Sequence, residues 1–134
     1  MSTNNSYIEV QTKLVPGESI RTINGESILG SGDVQIITVY ETIEHGTDDT
    51  TYTLTPNVFH KWNTVSSLTL TLGAETPGIT NEYLFQFQSG TTSTTLTLPN
   101  NVIWVNDEYP IIYPNCIYQV SIFNNLATMC MGQL

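Results

Sequence analysis

Positive charge is the scarcest property of this chain. Lys13, Arg21 and Lys61 are its only basic side chains apart from two histidines, against twelve Asp and Glu, for a net charge of −9. Binding to DNA or RNA draws on counterion release by clustered Lys and Arg, so nucleic acid is excluded as a partner. Anionic membrane surfaces are disfavoured for the same reason. Charge of either sign is sparse: 11% of residues are charged, where globular proteins carry roughly 25%. No apolar run approaches the roughly 20 residues of a membrane helix, and nothing resembling a signal peptide follows Met1–Ser6. Cysteine is limited to Cys116 and Cys130. Without an export signal they are expected as reduced thiols, although the sequence leaves their pairing open. Beyond Glu108 no charged side chain occurs, so that stretch is expected to lie in a sheet or an interface.

Threonine, serine, asparagine and glutamine supply the missing polarity, and 40% of the residues are hydrophobic. The length fits one domain, or a small domain with an arm. Around Ser19–Ile36 the chain echoes itself: Gly17-Glu18-Ser19-Ile20 returns as Gly25-Glu26-Ser27-Ile28. Asn24-Gly25 favours a two-residue hairpin turn, since both central residues must take positive φ. A second glycine turn follows at Gly30-Ser31-Gly32-Asp33. The expected ribbon carries Ile20, Ile23, Ile28, Leu29, Val34, Ile36 and Ile37. So short a hairpin is marginal alone, and its isoleucines need another surface, most simply a second copy of the chain. A short strand is expected over residues 7–14, and polar Glu41–Thr50 reads as a linker. Residues 1–50 are thus expected as an arm and residues 51–134 as the main domain.

From Thr51 onward apolar and polar residues alternate with a period of two. Leu68, Leu70 and Leu72 alternate with threonines. Tyr83, Phe85 and Phe87 repeat the pattern, as do Leu96 and Leu98. Turns are expected at Pro56-Asn57, at Pro99-Asn100-Asn101 and at Asn124-Asn125, with strands over Ile117–Phe123 and Ala127–Met131. Many short strands with turns between them imply an all-β fold: an N-terminal β-hairpin ribbon, then an antiparallel β-sandwich of jelly-roll type. The expected core is Leu68, Leu70, Leu72, Phe85, Phe87, Leu96, Leu98, Trp104, Val120 and Ile122.

Chemistry-bearing patterns are weak. His45 and His60 are the only candidate bases, and no G-x-S-x-G elbow exists. Asp48-Asp49 and Asp107-Glu108 read as solvated loop acids rather than a glycosidase pair. His45, His60, Cys116 and Cys130 match no zinc spacing, and no D-x-D-x-D-G loop suggests calcium. Neither a metal nor a cofactor is expected. Trp62, Trp104, Tyr109 and Tyr113 fall near expected loops and are candidates for stacking on a glycan, although Trp104 suits a core better.

Thr22-Ile23-Asn24-Gly25-Glu26-Ser27-Ile28-Leu29-Gly30-Ser31-Gly32-Asp33-Val34 resembles the L-K-T-I-N-G-x-S-[IL]-L-G-x-G-[DN]-I segment of virion fibre and tail-associated proteins of tailed bacteriophages and prophages, as in crAss-like phages of gut Bacteroidales. Arg21 stands where lysine is usual. Phe85-Gln86-Phe87-Gln88-Ser89-Gly90, then Thr94-Thr95-Leu96-Thr97-Leu98-Pro99, Trp104 and Tyr118–Asn125, resembles the C-terminal domains of such proteins. The resemblance implies a non-enzymatic virion component, often a homotrimer, with the ribbon (Ile20, Ile23, Asn24, Gly25, Ile28, Leu29, Gly30, Gly32, Val34, Ile36) near the attachment site or trimer axis. The absence of a long repetitive shaft favours a capsid-attached head fibre or decoration protein over a tail fibre. It would be assembled in the host cytoplasm and displayed on the virion surface. Its partners would be its own copies, another virion protein such as a capsid subunit, and a cell-surface glycan. The rival reading is a carbohydrate-binding module acting through Trp62 or Tyr109. If the ribbon assembles the protein, Ile23→Asp or Ile28→Asp will lower the native mass and leave the main domain folded; unchanged mass in both would contradict it.

Overall fold

A computed structural model describes residues 40–134. The chain divides into two units, Met1–Thr38 and Val39–Leu134, and the described residues belong to the second. The expected ribbon and the expected strand at 7–14 lie outside them.

Alternation of Leu or aromatic residues with Thr produces strands with one apolar face, and the described residues form strands with almost no helix. In chain order these are β1 (Glu41–His45), β2 (Thr51–Leu54), β3 (Val58–Thr64), β4 (Ser67–Leu72), β5 (Glu82–Gln88), β6 (Thr95–Thr97), β7 (Ile103–Trp104), β8 (Cys116–Phe123) and β9 (Leu126–Gln133), with one 3-10 turn at Val105–Asp107. The all-β expectation holds. The antiparallel one does not: only β5–β8 and β8–β9 pair antiparallel. From β1 to β6 the chain alternates between two sheets, and each strand from β3 on pairs in parallel with the strand two before it. One sheet has the order β1-β3-β5-β8-β9-β7 and the other β2-β4-β6. Two strands per coil, stacked in parallel, describe a short two-sheet solenoid closed by the β8–β9 hairpin. Parallel neighbours need a crossover between them, and here the crossover is a strand of the opposite sheet.

The register explains why this stacking is stable. Thr51 lies beside Thr69, Thr53 beside Thr71, Tyr52 beside Leu70 and Leu54 beside Leu72. Leu68 then lies beside Leu96 and Thr69 beside Thr97. Like stacks on like, so one ladder is apolar and buried while the other is hydroxylated and exposed. The Thr53 and Thr71 hydroxyls are bonded at 2.8 Å. In the larger sheet His60 lies beside Phe85 and Phe85 beside Val120. Phe87 stacks on Tyr118 at 5.2 Å between ring centroids. Leu54, Trp62, Val65, Leu68, Leu70, Phe85, Phe87, Leu96, Tyr118, Val120 and Ile122 form one buried cluster, against which Leu72, Leu98 and Trp104 pack partly buried. Each such side chain contributes about 1.5–3 kcal/mol.

Loops are fixed by polar side chains aimed at backbone. Asn57, at φ 60°, turns the chain between β2 and β3 as expected. Its side chain donates to Thr80 O and accepts from Glu82 N–H, tying that turn to the start of β5. The Thr94 hydroxyl donates to Val65 O at 2.6 Å across two coils. Gly73 donates to Leu54 O at 2.8 Å, and a Cβ there would meet that oxygen at 2.7 Å. Asn124 and Asn125, at φ 50° and 61°, form the expected two-residue turn.

Glu41–Thr50 is not simply a linker, because residues 41–45 form β1 and pair with β3 over its whole length. A fragment starting at residue 51 would lose an edge strand, so tests of the isolated domain should begin at Val39. Phe87→Ala is expected to lower unfolding free energy by about 3–5 kcal/mol. Denaturant titration checks this, and a loss below about 1 kcal/mol would contradict tight packing there.

Candidate functional site

The outward face of the six-stranded sheet is read from its register. One cross-strand row is polar: Glu44, Lys61, Gln86, Gln119 and Cys130 lie side by side. In it Lys61 Nζ donates to Glu44 Oε1 at 2.8 Å, and Gln119 Nε2 donates to Gln86 Oε1 at 2.9 Å. Another row begins at Glu82 and continues as Phe123, Leu126 and Ile103. Glu82 is engaged at both oxygens, accepting from the Ser121 hydroxyl and from the Tyr40 hydroxyl at 3.2 Å. This acceptor carboxylate raises the Tyr40 phenol above its usual range. The other three members are apolar and about half exposed, at 48%, 47% and 57%. Paired positions on a sheet bring side chains into contact, so these three form one apolar strip rather than scattered residues.

The expected glycan-stacking residues are not brought together. Trp62 is fully buried, so its assignment to stacking is corrected. Its indole N–H donates to Asp49 O at 2.7 Å. Trp104 is half-buried and meets the Tyr109 ring edge-on at 5.7 Å. Tyr109 is exposed as a residue, but its hydroxyl turns in to donate to Leu96 O, and desolvation of that end raises its phenol above the usual range. Tyr113 is exposed in the loop before β8. Trp104, Asn106, Glu108, Thr128 and Met129 line a groove of about 230 Å3, smaller than the roughly 300–1,000 Å3 usual for ligand pockets. Ile20, Ile23, Asn24, Gly25, Ile28, Leu29, Gly30, Gly32, Val34 and Ile36 lie outside the described residues. Cys116 is buried opposite Gln133, and Cys130 is exposed opposite Gln119. The two thiols point to opposite faces of the sheet and are free.

The two histidines do meet. His45 lies at the end of β1 beside Trp62, and its ring stacks on the indole at 3.9 Å and 7°. His45 Nδ1 is 2.9 Å from Asp49 Oδ2, and His45 Nε2 is 3.0 Å from His60 Nδ1. His60 Nε2 accepts from the Thr55 backbone N–H at 3.1 Å. That amide can only donate, and with His60 Nε2 as its acceptor the whole chain runs in one direction; Thr55 O, at 3.4 Å, would accept from the opposite His60 tautomer. His60 carries its proton on Nδ1 and donates to His45, and His45 carries its proton on Nδ1 and donates to Asp49. Burial holds His60 below the usual histidine range, and the neighbouring His45 acts the same way. The Thr55 carbonyl, 3.4 Å from His60 Nε2, and Glu41 oppose them. Among the described residues no buried polar side-chain atom lacks a partner, and no group of three or more His, Cys, Asp and Glu is arranged to hold a metal.

Compared with known proteins, the chain matches no family model, no curated protein and no solved structure.

Sequence reading missed the histidine chain because Glu41–Thr50 was read as a polar linker. The available signal was the shared inward phase of Ile43 and His45 against outward Thr42 and Glu44. It missed the apolar strip because Ile103, Phe123 and Leu126 are far apart in sequence and become neighbours only through the β7–β9–β8 register. Nitrogen-15 NMR of the imidazoles near pH 7.5 is expected to find both histidines as the Nδ1–H tautomer. An Nε2–H form of either would contradict the chain.

Proposed function

We propose that this chain is a non-enzymatic, assembling structural protein of a tailed-bacteriophage virion: a capsid-attached head fibre or decoration protein that forms a homotrimer on the virion surface. The observation that carries the assembling role is the apolar strip of Ile103, Leu126 and Phe123, about half exposed and joined by strand register. Strips of this type favour burial against a neighbouring subunit, and closed cyclic assembly buries every copy of it. A second support is the rigid manner of construction: the coils are fastened by backbone ladders and short polar staples, which suits a projecting part. The virion setting rests on the resemblance of Thr22–Val34 to virion fibre proteins. The scarcity of Lys and Arg is in keeping with a role that avoids nucleic acid.

Leu126→Asp and Phe123→Asp place carboxylates in the strip while leaving the buried β8 and β9 positions untouched. The full chain is expected at about three times its 14.9 kDa monomer mass, with both variants at lower native mass and with unchanged circular dichroism. A monomeric parent chain, or variants of unchanged mass, would contradict assembly through this face. Mass spectrometry of purified phage particles tests the virion setting: the chain is expected at stoichiometric copy number, and its absence would contradict it.

A further inference from the structure

The Asp49–His45–His60–Thr55 chain is built to respond to protons, and this does not rest on the virion reading. Its four groups come from four places: β1, the turn after it, the turn after β2, and β3. All of its hydrogen bonds run one way, from the Thr55 amide to the Asp49 carboxylate. In the neutral pair, each ring has one donor and one acceptor nitrogen, and each is used. A protonated imidazole has two donors and no acceptor. A proton on His60 would set an Nε2–H against the Thr55 N–H. A proton on His45 would set an Nε2–H against the Nδ1–H of His60. Either way two donors meet in a buried site, unless His60 reverses its tautomer and abandons the Thr55 amide. Thr55 O, at 3.4 Å from His60 Nε2, is the only acceptor offered there.

Nearby groups do not relieve this. From β1, Glu41 favours a charged His60 but acts from an exposed position. Glu44 points outward and is paired with Lys61 of β3. From the turn, Asp49 is already the acceptor for His45. β2 contributes the Tyr52 ring, 4.3 Å from the His45 ring between centroids. β3 contributes the Trp62 face, and β5 the apolar Phe85 beside His60. The pair is therefore sealed among aromatic and apolar groups on the sides where a new anionic partner would be needed.

We propose that this cluster is a proton-operated latch, which fastens β1 and the 46–50 turn onto the rest of the strand stack at neutral pH and releases them on acidification. Among the described residues β1 is an edge strand paired only with β3, so it can leave without breaking the β3–β5–β8–β9 ladders. Its departure would leave β3 as the sheet edge with unpaired backbone groups, a surface open to strand addition.

The sign follows from linkage. His60 binds its proton less readily folded than unfolded, so its contribution to stability is present above about pH 6.5, the unfolded value, and is lost as pH falls below it. Hydrogen exchange on the full chain, corrected for intrinsic rates, is the test. Protection of Ile43–His45 and of the Asp49 amide, which is bonded to Gly46 O, is expected to fall by up to about tenfold per pH unit below about pH 6.5, the limit for one proton taken up. Protection in β5, β8 and β9 is expected to persist. In His60→Gln, whose amide can still accept from Thr55, the response is expected to flatten. If that variant does not fold, His45→Gln serves the same purpose. Constant protection of β1 between pH 7.5 and pH 5.5, or a fall shared equally by all strands, would overturn the latch.

Discussion

Every strand from β3 to β6 must satisfy two neighbours at once: the opposite sheet, which takes its apolar face, and the strand two before it, which takes its backbone. This double requirement is what the rest of the structure depends on. It demands that residues of one kind recur at one phase, so that Leu lies on Leu and Thr on Thr through Thr51–Leu54, Ser67–Leu72 and Thr95–Thr97. Threonine serves both needs, being β-branched for the strand and hydroxylated for the wet face. Charge is largely dispensable in such a design, because ladders and hydroxyl pairs carry the polarity.

The same constraint sorts interior from surface. Because register fixes which side chains are inward, two polar histidines arrive beside Trp62 and must be satisfied there. Asp49 and the Thr55 amide do so. Because register also fixes the outward side, Ile103, Leu126 and Phe123 arrive together in one exposed row. The candidate latch and the candidate contact strip are thus both products of strand pairing, and neither is a local sequence motif.

That explains what the sequence could and could not convey. Alternation located β4, β5, β6, β8 and β9, and chemistry located the Asn57 and Asn124–Asn125 turns, because strand phase and positive φ are local properties. Pairing direction is not local: a Leu-Thr-Leu strand reads the same beside a parallel or an antiparallel neighbour. The recurrence of Thr-x-Thr in alternate strands was the available hint of stacked coils, since like-on-like ladders form naturally in parallel register. Tryptophan was misjudged at position 62 because a loop was expected nearby. In fact β3 runs on to Thr64 and carries the indole inward against His45. The ribbon residues from Ile20 to Ile36 remain an expectation of sequence, beyond the described residues.

The most direct test of the parallel two-sheet stack is the set of nuclear Overhauser contacts between β2 and β4. Contacts that ascend together, Thr51 with Thr69 and Thr53 with Thr71, are expected. Contacts that run in opposite order, or hairpin contacts between strands adjacent in sequence such as β2 and β3, would contradict the stack and with it the placement of both the histidine chain and the apolar strip.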